Sequence, residues 1–304
     1  MPVSLGYACI NTLLPSANST MRKATFDQKG IEYAGEIALK NFNAIIPIIE
    51  WNNKNNIRLY RMSSDMMPWA SEYNMEDLPQ FDEIKKVLYK IGELSKLYNQ
   101  RLTFHPGQFD CLASDNENVI KNTIIDLEIH GKIMDLIGVS KTHYNKINVH
   151  LGSSCGGNHK LAMDNFCRNF DKLSESVKSR LTIENDDKKG MFSVNMLYEG
   201  VYKNIKVPIV YDQHHWECGP QDQSQQDAFE TAYLTWDKIK PVCHLSNSKK
   251  EYEDNSVVIT AHSDYIYKPF NNYDLDVDVV VEAKMKEQAV LNYLKKWDTN
   301  GKER

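Results

Sequence analysis

RLTFHPGQF, residues 101–109, decides how the rest of the chain is read. A β-branched and aromatic run delivers His105 and breaks at once into Pro106–Gly107, which turns the chain and cannot continue a strand ladder. A histidine is thus held at the lip of a short strand, with Gln108 and Phe109 directly behind it. One such strand end says little. Its weight depends on whether other strands end in the same way.

Eight short β-rich runs recur: VSLGY (3–7), IRLYRM (57–62), RLTFH (101–105), KINVHL (146–151), RLTIE (180–184), VPIVYD (207–212), PVCHLS (241–246) and VDVVVE (277–282). Several are nearly continuous in apolar character, as expected of strands covered on both faces. Between them, i, i+3, i+4 spacing of apolar residues predicts helices over 31–49 and 84–98. A third is predicted over 116–137, opening near Asp115 and Glu117 and stopping at Gly138. The segment 216–233, rich in Gln, Asp and Gly, reads as a long loop after the sixth strand, and 295–304 as a polar tail. Alternating βα units in this number predict an α/β chain forming one TIM (β/α)8 barrel, a single domain over 1–304. An open doubly wound sheet is the alternative, disfavoured because no Gly-rich phosphate loop follows the first strand.

The bulk numbers fit that reading. A chain of 304 residues, 41% hydrophobic and 25% charged, is large enough for one such barrel. No apolar run approaches the ~20 residues that span a bilayer, and the N-terminus lacks the regions of a signal peptide. Six scattered cysteines without a CxxC pair suit a reduced, soluble, intracellular protein better than a disulfide framework. The net charge of −5 argues against holding nucleic acid by phosphate neutralisation alone. A DNA-binding role would need local positive charge, which bound metal ions can supply.

Active sites of such barrels are built at the C-terminal ends of the strands. Strand three ends at His105, strand four at His150, strand five at Glu184 and strand six at Asp212, with His214 and His215 close behind. Strand seven carries His244, strand eight ends at Glu282, and His262 lies on the connection between them. Any one of these alone is most simply a loop cap or a core histidine. Together at one rim they would crowd buried charge unless a cation compensated them. Five imidazoles and three carboxylates exceed what one tetrahedral zinc uses, so the expectation is a centre of two to three divalent ions. With no thiolate among the ligands, Mn2+ is the first choice, with Zn2+ or Mg2+ as alternatives. Such a centre suits hydrolysis at phosphorus by acidifying water, holding a non-bridging oxygen and stabilising the departing alkoxide. His130 reads as a helix-face residue, and His143 and His159 as solvated loop residues. Only one of His214 and His215 need face the ions, and alternation turns Cys243 away from them.

In chain order, LGYACIN, HPGQF, INVHLG, LTIENDDK, YDQHH, CHLSN, AHSDYI and VVVEAKMKEQA closely resemble the motifs of UV damage endonucleases. These are metal-dependent DNA repair nucleases on a TIM barrel, related to endonuclease IV, and the resemblance runs from about residue 3 to 290. It implies that His105, His150, Glu184, Asp212, His215, His244, His262 and Glu282 are metal ligands, with Glu184, Glu282 and His105 the candidate catalytic groups. It selects His215 over His214, because the family spaces Asp and His three apart. It also implies that Gln108 and Phe109 intrude into the duplex beside a lesion, and that Tyr7 and Asn11 approach the extruded dinucleotide. An aromatic plane replaces a lost stacking partner, and a damaged step costs least to unstack.

Two departures stand out. Some members have Tyr where Phe109 stands, and a family lysine two residues before the strand-seven histidine is Val242 here, with Lys240 lower on the same side. The expected activity is a nick immediately 5′ to UV photoproducts (cyclobutane dimers and 6-4 photoproducts), with abasic sites as a candidate further substrate. The expected partner is UV-damaged double-stranded DNA, bound by a monomer. Arg61, Lys188, Lys189, Lys249, Lys250, Lys284 and Lys286 are candidate phosphate contacts, Lys284 foremost. The competing readings are an endonuclease IV-like abasic-site nuclease, a metal-dependent sugar isomerase or epimerase on a similar barrel, and a non-enzymatic lesion-binding protein.

Overall fold

The computed structural model describes residues 3–107 and 109–297. Each β-rich run forms a strand: β1 (Ser4–Cys9), β2 (Leu59–Met62), β3 (Arg101–Thr103), β4 (Ile147–Val149), β5 (Leu181–Glu184), β6 (Ile209–Val210), β7 (Val242–Leu245) and β8 (Asp278–Val281). Parallel ladders join them in the orders β3-β2-β1-β8-β7 and β4-β5-β6. Parallel bridges from Phe104 to Ile147 and from Asp212 to His244 connect these two sheets at both edges. The strands therefore follow chain order around a closed ring, the expected (β/α)8 barrel.

The helices are α1 (Lys23–Lys54), α2 (Phe81–Leu97), α3 (Glu117–Ile137), α4 (His159–Phe170), α5 (Glu175–Lys178), α6 (Val194–Leu197), α7 (Lys203–Ile205), α8 (Gln213–Cys218), α9 (Gln225–Leu234), α10 (Lys249–Tyr252) and α11 (Lys286–Lys296). Gly30, at φ 67°, breaks α1, which is why its apolar period begins at Ile31. Asn116 opens α3 by accepting from the N–H groups of Asn118 and Val119, and Gly138 closes it in the left-handed conformation at φ 77°. The segment expected to be a long loop, 216–233, is instead mostly helical, running through the end of α8 and most of α9. Two side-chain caps account for this: Asp212 accepts from His215 N, and Ser224 accepts from Asp227 N. The expected polar tail begins inside α11, which continues to Lys296, and its remainder from 298 lies outside the described residues.

Strand alternation divides the core into two layers. Residues such as Leu5, Leu102, Ile183, Cys243 and Leu245 pack outward against the helices. Ala8, Leu59, Val210, Val242 and Val280 form a separate interior cluster with Trp236. Gly6 permits close strand approach, since a Cβ there would lie 2.1 Å from the Leu59 carbonyl oxygen. Below this apolar plug, Arg101 Nη1 donates to Asp278 Oδ2 and to the Lys240 carbonyl, each at 2.9 Å. Lys240 Nζ pairs with Asp276 and Asp278, also at 2.9 Å, which fixes it at the base of the barrel. Polar side chains above the plug can only converge at the opposite, C-terminal rim.

Candidate metal centre

Glu184, fully buried at the end of β5, is the hub of that rim. Its Oε2 lies 3.2 Å from His105 Nε2 and accepts from Asn148 Nδ2. Its Oε1 lies 3.2 Å from His215 Nδ1 and 3.1 Å from His244 Nδ1. His244 Nδ1 is also 3.1 Å from Glu282 Oε1 and 3.9 Å from Asp212 Oδ2. Local structure explains the Asp212–His215 spacing. Asp212 caps α8 through a 2.8 Å bond from His215 N, and one helical turn brings the His215 ring back over the same site.

The ligand atoms gather into three groups: His105, His150 and Glu184; Glu184, Asp212 and His215; and Asp212, His244 and Glu282. Within each group the candidate ligand atoms lie within 4.8 Å of one another, and Glu184 and Asp212 each belong to two groups. Seven of the eight expected ligands are brought together in this way. The eighth, His262, places its ring 6.4 Å from that of His215. Second partners aim several rings inward, as they do around metals. The His105 Nδ1 faces the Pro106 carbonyl at 3.1 Å, while the His215 Nδ1 is shared between Glu184 Oε1 and the Asn185 carbonyl, 2.9 Å away. His150 Nδ1 stands 3.0 Å from Asp186 Oδ1.

Among the described residues, Glu184 Oε1, Asp212 Oδ2, His244 Nδ1 and His262 Nδ1 are buried without a well-aligned hydrogen bond, and the first three crowd against one another, His215 and Glu282 as close charge contacts instead. Buried polar atoms that lack a well-formed hydrogen bond are expensive, and four of them converging on one cluster fit a cation well. Charge states agree in part. Burial opposes ionisation of Glu184, but the adjoining His244 and His150 rings and the bonds from His105 and His215 hold it well below the usual carboxylate range. Glu282 likewise overcomes burial through Arg61 and His244 and stays well below that range. Burial pushes His105 down to about 4, and lowers His244 and His262. Burial pushes Asp212 up, while His150 and His215 are raised against burial by neighbouring carboxylates. The ionised glutamates and the lowered His105, His244 and His262 are in the forms metal coordination requires, whereas His150 and His215 hold protons that loading would have to displace.

The other expected residues fall unevenly. Phe109 is 84% exposed, a bare aromatic ring four residues beyond His105. Gln108 lies outside the described residues. Tyr7 is not at the open mouth: β1 runs on to Cys9, and alternation turns Tyr7 outward beneath α1, fully buried. Its hydroxyl donates to Asn52 Oδ1 at 2.7 Å and accepts from Asn11 Nδ2 at 2.9 Å, so the buried Asn11 braces the loop from within. Lys284 is exposed, just past β8. Arg61 is not free for a phosphate, since its Nη1 is paired with Glu282 Oε1.

The remaining histidines also differ from expectation in part. His214 is buried, with its ring 5.4 Å from His262. His130 is helical but 1% exposed, 3.2 Å from Asp126 Oδ2. His143 and His159 are half-buried rather than solvated. Burial pushes His143 down to about 4, and His159 Nε2 donates to the Gly190 carbonyl at 2.8 Å. Sequence reasoning missed Lys146 and Asn148. Their signal lies in KINVHL, where residues 146, 148 and 150 share one strand face.

The fold and site together define a parallel β/α barrel with a buried histidine–carboxylate centre at its C-terminal rim. A family model described as UV-endonuclease UvdE matches residues 3–302. The chain belongs to that family. A UV-damage endonuclease of Schizosaccharomyces pombe is 33% identical over 97% of this chain, which spans 50% of that protein's length. A UV DNA damage endonuclease of Bacillus anthracis is 31% identical over 85% of this chain and 81% of its own. The crystal structure of SacUVDE superposes with a TM-score of 0.82 at 28% identity, covering 95% of this chain and 96% of that one. A D-tagatose 3-epimerase-like protein, at TM-score 0.54 and 16% identity over 80% of this chain and 88% of its own, shares the fold alone.

Proposed function

We propose that this chain is a metal-dependent endonuclease that nicks UV-damaged duplex DNA immediately 5′ to cyclobutane dimers and 6-4 photoproducts, leaving a 3′-hydroxyl and a 5′-phosphate. The observation that carries the metal dependence is the convergence of buried polar atoms from Glu184, Asp212, His244 and His262 that lack well-formed hydrogen bonds. His105, His150, Glu184, Asp212, His215, His244, His262 and Glu282 would hold two to three divalent ions, Mn2+ first. Such ions supply Lewis acidity toward a phosphoryl oxygen and a source of hydroxide near neutral pH.

The chain's own residues do the rest. Glu184 and Glu282 stay ionised and keep the centre's charge balanced. Arg61 neutralises Glu282 from the side, so the pocket can accept a phosphate without excess negative charge. Phe109 offers a ring that can fill the space of a displaced base, worth ~1–3 kcal/mol per stack. Lys284 supplies a cation for the flanking backbone. The test is an end-labelled duplex carrying one cyclobutane dimer, incubated with protein and Mn2+, with and without chelator, beside His105→Ala. The expected result is one cut on the 5′ side, abolished by chelator and by the substitution. Cleavage elsewhere, or cleavage that survives chelation, overturns the reading.

A further inference from the structure

We propose that Lys146 is a positioning residue of this centre: its amine grips His244 from beneath and keeps the other ring nitrogen turned toward the carboxylates. The inference rests on the metal-centre reading above. Lys146 has no exposed surface, an unusual state for a lysine, whose head group is costly to bury without a partner. Its hydrogen-bond partner among the described residues is a ring nitrogen rather than a carboxylate: Nζ lies 3.1 Å from His244 Nε2.

Strand alternation explains how it arrives there. Lys146, Asn148 and His150 occupy successive layers of one face. His150 belongs to the first ligand group, and Asn148 donates to Glu184 Oε2. Lys146, one layer lower, reaches across the ring to β7. Beneath His244 on β7 itself stands Val242, buried and without a polar head. A neutral imidazole has one N–H and one lone-pair nitrogen, so with Nδ1 free to ligate, Nε2–H donates to the Lys146 amine nitrogen. With Nε2 engaged by Lys146, Nδ1 sits 3.1 Å from both Glu184 Oε1 and Glu282 Oε1. Without the amine, nothing polar among the described residues fixes that face of the ring.

The experiment uses the full chain, stripped of metal and titrated with Mn2+ by calorimetry under chelator competition, with bound metal counted by elemental analysis. Lys146→Met keeps the volume and removes the amine. Outer partners of ligating histidines are worth roughly 10–100-fold in metal affinity, so one Mn2+ should weaken by that factor while tighter binding elsewhere is retained. In a His244→Ala background, Lys146→Met should cause no further loss. Wild-type affinity in Lys146→Met, or an equal loss in both backgrounds, overturns the inference. If Lys146→Met does not fold, Lys146→Leu carries the same comparison with the same two outcomes. A wild-type chain that binds no Mn2+ sinks the metal-centre reading instead, so the two failures are distinguishable.

Discussion

Raising the pH should release a buried ion pair that seats the strand end carrying His105. His130 lies in the middle of α3, 1% exposed, with Nδ1 3.2 Å from Asp126 Oδ2 and 2.8 Å from the Asp126 carbonyl. Its ring meets Phe104, the residue before His105, edge-on at 4.8 Å. Burial works against the imidazolium, but Asp126, and more weakly Asp110, lift it from 6.5 to about 9. A shift of that size corresponds to about 3 kcal/mol of folding stability. The folded value is the higher one, so this stability is complete below about pH 6.5 and is lost as pH climbs through about 9.

Asp110 overlaps that window: burial and the neighbouring Asp126 charge push it up to about 8, so its own contribution fades over lower pH in the same sense. The clean comparison is therefore His130→Gln against its parent in an Asp110→Asn background, unfolded by urea in chelator at pH 6, 7.5, 9 and 10. The stability gap should shrink by about 3 kcal/mol from pH 6 to pH 10. A gap that stays constant with pH would refute the ion pair and leave His130 as a packing residue only.

Other consequences are equally open to measurement. Since His150 and His215 hold protons more tightly than usual, metal loading should release protons and strengthen with rising pH. Calorimetry in buffers of different ionisation enthalpy counts them. Phe109→Ala should leave unfolding stability within about 0.5 kcal/mol, because an exposed ring packs little, yet weaken binding to dimer-containing duplex by about 1–3 kcal/mol. Arg61→Met should destabilise the metal-free chain by about 3 kcal/mol, because the mostly enclosed Glu282 charge keeps, among the described residues, only its His244 contact, and Arg61→Met with Glu282→Gln should recover much of that loss in denaturant titrations.

The barrel and the gathering of histidines and carboxylates at its rim were legible because both depend on local pattern. Short apolar runs mark strands, and a histidine or carboxylate ending such a run has to emerge at the rim. Three features resisted that reading for physical reasons. Helices α8 and α9 lack a clear apolar stripe, and their caps at Asp212 and Ser224 were hidden in a polar, glutamine-rich stretch. Tyr7 depends on parity, and a strand end misjudged by two residues placed an inaccessible side chain at the mouth. Lys146 meets His244 across 98 residues of chain, a contact that only the closed ring creates. Loss of the expected lysine at Val242 was visible, but the amine arriving from β4 was not.

The account stands on cations binding where Glu184 and Asp212 are each shared between two ligand groups. Elemental analysis of pure protein, before and after Mn2+ loading, is the most direct measurement, with Glu184→Gln beside the wild type. Two to three ions per wild-type chain, falling by at least one in Glu184→Gln, is the predicted result. A wild-type chain that retains no stoichiometric divalent metal, or a Glu184→Gln chain that retains the full complement, would contradict it.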